Sequence, residues 1–335
     1  MLQNKQDRRQ LSREIWEEVF QDTPPFLDLY FSRVYHPEET DLILDYKDNQ
    51  ALAHTGRLSF FLRIFGERIP ASYISGAATR ASHRGQGLMP QLLHSSHTKM
   101  YQQGKVLSFL IPAEEWLYSY YHDKMGYASV CYRAKISNPH PTSPIVRRLQ
   151  QTPSVEGYLD YRKARKAWLF GHIEHTYPQW CNAIYDAVLS GGGYLSHEGI
   201  LRYVGTKSKE QLILQEHPSS YHAEETIVPL SFSSIASSTP SSTNSVEISP
   251  HGMLRAINIP RLLSLYAKKH PSQAMQFDLF DPELVPNTGR YRIQGGTLLF
   301  HPYSADRLQP QAYTPNSLLE EIFSSDPIYI DLMLD

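Results

Sequence analysis

Apolar residues recur along the first part of the chain at two spacings, and the switches between them mark out elements. Leu11, Ile15, Val19 and Phe20 follow a helical spacing that Thr23-Pro24-Pro25 interrupts, so residues up to about Ser32 are predicted as two helices. Asp41–Tyr46, Leu58–Ile64, Ala71–Thr79 and the apolar run Val106–Pro112 predict strands. Between the last two, Leu88, Leu92, Leu93 and Met100 fall near one face of a helix that Gly104 can end in a left-handed cap. A second amphipathic stretch, Glu115–Tyr127, follows directly. Alternation of strand and helix predicts a mixed α/β unit that closes near Ala134, ahead of the proline-rich Asn138–Pro144.

The pattern changes after that. Val155–Phe170 and Pro178–Leu189 predict helices, and Gly191-Gly192-Gly193 leads into three short strands at Tyr194–Ser196, Ile200–Gly205 and Gln211–Gln215. Ser231–Ser245 is rich in Ser and Thr and has little to bury, which predicts an extended loop or linker. Gly252–Leu263, Met275–Asp281 and Asn287–Ile293 then predict a strand running into a helix, followed by two strands. The expected division is 1–137, 138–230, a linker at 231–249, and 250–335. Helices followed by strands recur in the second block without a glycine turn, so no cofactor is expected there.

Composition narrows the class. A chain of 335 residues with 41% apolar and 20% charged residues suits a soluble globular protein of more than one domain. A net charge of −2 gives no basic face for nucleic acid. Cys131 and Cys181 alone make no disulfide framework, and no apolar run reaches the length of a membrane span. The N-terminus carries no signal-peptide pattern, and the expected location is the cytoplasm. The pairs His94 with His97, His172 with His175 and His217 with His222 lack a third ligand at a zinc-like spacing, so no metal is expected.

The chemistry concentrates at His83-Arg84-Gly85-Gln86-Gly87-Leu88, lodged between a predicted strand and a predicted helix. The first-turn N–H groups of a helix converge on one point and its dipole favours negative charge there. Gly85 and Gly87 let the backbone approach a phosphate closely, and Arg84 adds a planar cationic fork. A pyrophosphate suits such a turn. The chain has no G-x-G-x-x-G, and no Gly-Lys-Ser/Thr closes the loop.

The order of strand, R-G-x-G-x turn, helix, strand and a short aromatic-rich helix ending at Gly126-Tyr127 resembles the GNAT acetyltransferases. Met89, where that loop usually has Gly or Ala, is a departure shared with the Eis-like (enhanced intracellular survival) branch. Residues 252–293 resemble that branch's sterol-carrier-like C-terminal domain, in a strand and helix followed by a strand ending in Asp and a strand after Asn-x-Gly. The resemblance implies an α+β fold: a GNAT-type mixed sheet with flanking helices, a second, reduced GNAT-like block and the sterol-carrier-like domain. It also implies acetyl-coenzyme A held through its pyrophosphate by Arg84, Gly85, Gln86, Gly87 and Leu88. Its pantetheine arm would lie in a split beside Ala77, Ala78 and Thr79, facing Leu107–Leu110.

The implied reaction is N-acetylation of a primary amine: a polyamine, an aminoglycoside-like compound or a lysine side chain. The family's proton donor is a tyrosine four residues before the turn glycine. His122 holds that position and Tyr121 precedes it, so either is a candidate for the donor. The branch uses its C-terminal carboxylate as base, which implies Asp335 here. Glu17, Glu18, Asp22 and Asp28 beside Trp16, Phe20 and Phe26 suit a cationic substrate, though such charges more often lie on a solvated helix face. The branch's habit implies a homo-oligomer. Loss of the tyrosine leaves a second expectation, a non-catalytic acyl-coenzyme A-binding or ligand-sensing protein.

Overall fold

A computed structural model describes residues 5–137, 150–166, 170–189, 191–197, 200–204, 211–213, 225–229, 245–303 and 312–331. Asn138–Pro144, most of Ser231–Ser245, His217, His222 and Asp335 lie outside the described residues.

The first two helices are α1 (Lys5–Phe20) and α2 (Pro24–Arg33). Pro24 and Pro25 occupy the first turn of α2, where a missing N–H costs nothing. Trp16, Phe26, Leu27, Tyr30 and Phe31 join the two helices through one aromatic cluster. Three antiparallel strands follow: β1 (Thr40–Asp45), β2 (Gln50–Ile64) and β3 (Glu67–Thr79). β2 begins eight residues before its predicted start. Ala51 there is too small to register in an apolar pattern, yet it is buried with Leu11 and Ile15 of α1.

The chain continues through α3 (Leu88–Gln102), β4 (Leu107–Leu110), α4 (Glu115–Met125) and β5 (Ala128–Ser137). Ile74 and Leu110 of the sheet share an apolar cluster with Leu93, Met100, Tyr121 and Met125, so α3 and α4 cover the face opposite α1 and α2.

Next come α5 (Val155–Lys166), β6 (Gly171–Glu174), α6 (Tyr177–Leu189), β7 (Gly193–His197), β8 (Ile200–Val204), β9 (Gln211–Ile213) and β10 (Glu225–Pro229). The last part holds β11 (Ser245–Ala256), α7 (Ile259–Lys269), β12 (Met275–Leu279), β13 (Gly289–Gln294), β14 (Thr297–Pro302), α8 (Pro315–Phe323) and β15 (Ile328–Tyr329). β12, β13 and β14 form a small antiparallel sheet of their own.

Two late strands complete the main sheet. β11 lies antiparallel between β4 and β5, pairing Met253–Ala256 with Leu110–Leu107 and Ser245–Leu254 with Ser137–Ala128. Its first residues, Ser245–Ser249, come from the stretch whose composition predicts a linker. β15 lies parallel between β5 and β6, and β6 pairs with β2 at Phe61–Arg63. The pairings therefore run β4–β3–β2–β6–β15–β5–β11 and return to β4, a closed ring. Leu62, Phe109 and Leu254 of these strands share one apolar cluster with Leu262 and Tyr266 of α7 and Leu318 and Ile322 of α8. The C-terminal helices and the sheet thus have a common core. No helix among the described residues is long and apolar enough to cross a membrane.

Candidate active site

β3 and β4 are paired only from Ala71 to Tyr73 against Leu107 to Phe109. β3 continues six residues to Thr79 while β4 diverges, leaving a split that opens toward the turn at residues 84–88. In that turn Gly85 and Gly87 both have left-handed φ, 76° and 75°. A Cβ at either glycine would meet nothing within 4 Å, so glycine is required there by the backbone and not by packing. Gly87 is the N-cap of α3 and supplies no side-chain acceptor. The amides of Gln86, Gly87, Leu88 and Met89 donate to no backbone oxygen among the described residues. Arg84 is exposed beside them, its Nε donating to the Thr79 carbonyl at 3.2 Å. Amides without a backbone acceptor at a helix N-terminus, with a guanidinium beside them, are the parts an anion site requires.

Within the split β3 is bulged. His54 pairs with Ala78 and Gly56 with Ser75, so Gly76 and Ala77 together oppose Thr55. Gly76 has φ of 60°, the left-handed first residue of a glycine bulge. A Cβ there would run into the six-membered ring of Trp16.

Residues 3–130 match the family model described as an acetyltransferase (GNAT) domain. The whole chain is similar in structure to Eis1 from Mycobacterium abscessus, at TM-score 0.67 and 11% identity, over 95% of this chain and 87% of that one. A probable N-acyltransferase from Enterococcus faecalis gives TM-score 0.67 at 14% identity, over 94% and 87% of the two chains. A GCN5-related N-acetyltransferase from Kribbella flavida gives 0.66 at 14%, over 99% and 98%. At these identities the likeness is one of fold. The sequence has no match among curated proteins.

The fold separates the two donor candidates onto different flanks of α4. Tyr121 is buried among the residues under α3 and α4, with the rings of Tyr120 and Tyr127 at 5.3 and 5.7 Å. Burial pushes its phenol well above the ordinary value, so it stays protonated. His122, one residue and about 100° further round the helix, is half-exposed. Its Nδ1 is 2.8 Å from Asp123 Oδ1, and Asn316 Nδ2 at the start of α8 donates to its Nε2 at 2.9 Å. It lines a cavity of about 670 Å³ between α3, α4 and the C-terminal segment, together with His94, Gly126, Arg255 and Glu283. Tyr118 donates to the Pro250 carbonyl of β11 at 3.2 Å.

The walls of that cavity are heavily paired. Arg255 donates to Asp281 at 2.7 Å, His97 Nδ1 is 2.6 Å from Glu283, and His97 Nε2 is 3.0 Å from the Tyr127 hydroxyl. Tyr127 in turn meets Ser108 of β4 at 2.7 Å. The tail is docked as far as it is described: Ile328 and Tyr329 are buried in β15, and Asp331 is buried in an ion pair with Arg165. Asp335 lies four residues further on, outside the described residues.

On the opposite face of the sheet a cavity of about 450 Å³ is lined by Glu38, Glu39, Phe60, Tyr73, His175 and Asn182, among others. Tyr73 is the last residue of β3 paired with β4, so this cavity reaches the root of the split. The acidic residues of the first-helix region, which suit a cation but more often lie on a solvated helix face, are elsewhere. There Glu17 and Asp28 pair with Arg13 at 2.7 and 2.8 Å, Glu18 pairs with Arg80, and Asp22 accepts the Trp16 indole N–H at 2.7 Å. Glu38 and Glu39 follow Pro37 in a short 3-10 turn, which no periodic pattern reveals. Among the described residues no group of three or more potential ligands could hold a metal.

Proposed function

We propose that this protein is an acetyl-coenzyme A-dependent N-acetyltransferase of a primary amine, on an Eis-like plan with a sterol-carrier-like C-terminal segment. The observation that carries the reading is the split that begins at Tyr73 and Phe109, on the strand that leads to a turn whose amides have no backbone acceptor among the described residues. The coenzyme A pyrophosphate lies on Arg84, Gly85, Gln86, Gly87 and Leu88, and its arm descends past Ala77, Ala78 and Thr79. The amine approaches from the α2 face through the cavity of Glu38, Glu39, Phe60 and Tyr73, whose carboxylates and rings suit a cation. A polyamine, an aminoglycoside-like compound or a lysine side chain meets that description.

The amine nitrogen attacks the thioester carbonyl carbon, a C–N bond forms, and the C–S bond breaks as the oxyanion collapses. The departing thiolate takes a proton. Tyr121 is the donor we favour, because its buried phenol is protonated and it shares an apolar cluster with Ile74 and Leu110 at the split. The surplus proton of the amine leaves to solvent or to the Asp335 carboxylate. We place the protein in the cytoplasm, and an oligomer is expected from the resemblance.

One observation favours the second reading, an acyl-coenzyme A-binding protein without turnover: His122, at the family's donor position, is engaged by Asn316. One assay separates the two. Acetyl-coenzyme A is mixed with spermidine, kanamycin or a lysine peptide, and free thiol is measured. Thiol release supports the transferase; thermal stabilisation by coenzyme A with no thiol release from any amine overturns it. Gly87→Asp puts a carboxylate at the anion site and should weaken coenzyme A binding by roughly a hundredfold, since like charges in contact cost several kcal/mol. Unchanged affinity would move the donor site elsewhere.

A further inference from the structure

The bulge in β3 is held by one side chain from the neighbouring strand. His54 of β2 is fully buried, and its Nδ1 lies 2.7 Å from the Gly76 carbonyl oxygen. A carbonyl can only accept, so Nδ1 carries the proton. Burial pushes the ring down to about 4, so at neutral pH it is the uncharged Nδ1–H tautomer. The Trp16 ring packs edge-on to His54 at 5.8 Å and fills the space beside Gly76.

The direction of this bond decides the direction of another. In a planar trans peptide the C=O and the following N–H point opposite ways. The Gly76 carbonyl turns toward β2 and the α1 face, where His54 is. The N–H of Ala77 belongs to the same peptide unit and therefore turns away from β2, toward the side on which β4 has left the sheet. Glycine at the bulge permits this peptide plane to rotate, and the bond from His54 selects one of its orientations.

We infer that His54 is a positioning residue, which fixes the Gly76–Ala77 peptide so that the Ala77 amide is aimed into the split as a hydrogen-bond donor to the thioester carbonyl oxygen. This rests on the acetyl-transfer reading above. As the amine adds, the carbonyl π electrons move to oxygen, and the amide already points at the charge that develops. When the C–S bond breaks, those electrons return to the carbonyl. Losing one such donor typically lowers turnover by about a hundred- to a thousandfold.

The test uses the full chain with acetyl-coenzyme A carrying carbon-13 at the carbonyl, and needs no amine. Bound to the wild type, the carbonyl resonance should move downfield of its free position. In His54→Leu that displacement should be lost while acetyl-coenzyme A affinity stays within about threefold, since no pyrophosphate contact is touched. His54→Asn should restore the displacement, because its Nδ2–H occupies the place of Nδ1–H. With spermidine, kanamycin or a lysine peptide as acceptor, turnover should follow the same order, and His54→Asn should keep the wild-type pH profile. His54→Phe replaces His54→Leu if the smaller side chain unfolds the protein. A full displacement in the Leu or Phe variant overturns the inference, as does a titration limb that disappears in His54→Asn, which would make His54 an acid or base. Failure of the wild type to bind acetyl-coenzyme A instead overturns the reading on which the inference rests.

Discussion

The two faces of the sheet are built on different principles. On the α1/α2 face, beside the bulge, His54 is buried uncharged under Trp16, and the nearby cavity reaches the root of the split. On the α3/α4 face the larger cavity is bordered by partners already bound to one another: Arg255 with Asp281, His97 with Glu283, Asn316 with His122. The larger volume thus lies among side chains paired across α3, α4 and the C-terminal segment, and the smaller one where Glu39, held by the Ser59 amide at 3.3 Å, stands over a gap in the sheet. Size alone is a poor guide to chemistry; where a cavity leads matters more.

That contrast can be broken most forcefully at Arg255. Removing one partner of a buried ion pair leaves an uncompensated charge, so Arg255→Met should cost about 3–5 kcal/mol in denaturant unfolding. A loss below about 1 kcal/mol would mean that Asp281 is satisfied by Asn287 and the backbone alone. Acid should then separate the faces. The His54 pKa of about 4 lies below the ordinary 6.5, so the folded state resists protonation there. Stability from this group is complete above about pH 6.5, falls as pH drops toward 4, and amounts to about 3 kcal/mol. His54→Asn should remove that part of the slope in unfolding measured across the window. Burial pushes Glu283 up, but His97 and Arg255 outweigh it and hold the carboxyl below its ordinary 4.5. Its contribution is therefore complete above about 4.5 and is lost only below that, a window that His54→Asn should leave unaltered.

The flanks of α4 allow a finer test. Tyr121→Phe should lower turnover at least about a hundredfold, whereas His122→Phe should change it by less than about threefold. The reverse order would return the donor role to His122 and make the second cavity part of the active site. The smallest effect is expected at the rim of the first cavity. Glu39→Gln should raise the KM for a dicationic amine roughly tenfold, about 1.4 kcal/mol, with acetyl-coenzyme A affinity unchanged.

Local features were legible in the sequence, and non-local ones were not. The turn at Arg84–Leu88, the flanking elements and the helix ending at Gly126 each depend on neighbours a few residues away. Gly76 stands inside what reads as a plain strand: a glycine there can mark a bulge, but nothing local shows that His54 would hold it. Tyr121 and His122 are adjacent in sequence and differ in environment because a helix turns about 100° per residue, and only the packing of α8 shows which way each faces. β11 is the clearest case of hidden register. Its place between β4 and β5 joins segments more than a hundred residues apart, and Pro250 and Gly252 mark kinks in its pairing that weaken any alternating pattern.

The late arrival of β11 and β15 also bears on how the protein is made. Until residues 245–256 leave the ribosome, β4 and β5 have no strand between them and present open backbone edges. β15 closes the ring later still. A nascent chain with the first domain already synthesised would therefore wait, at roughly 5–20 residues per second, for well over a hundred further residues before its sheet could be completed. The period of greatest exposure to aggregation is set by this topology, and chaperone dependence should follow translation speed across the segment between β5 and β11.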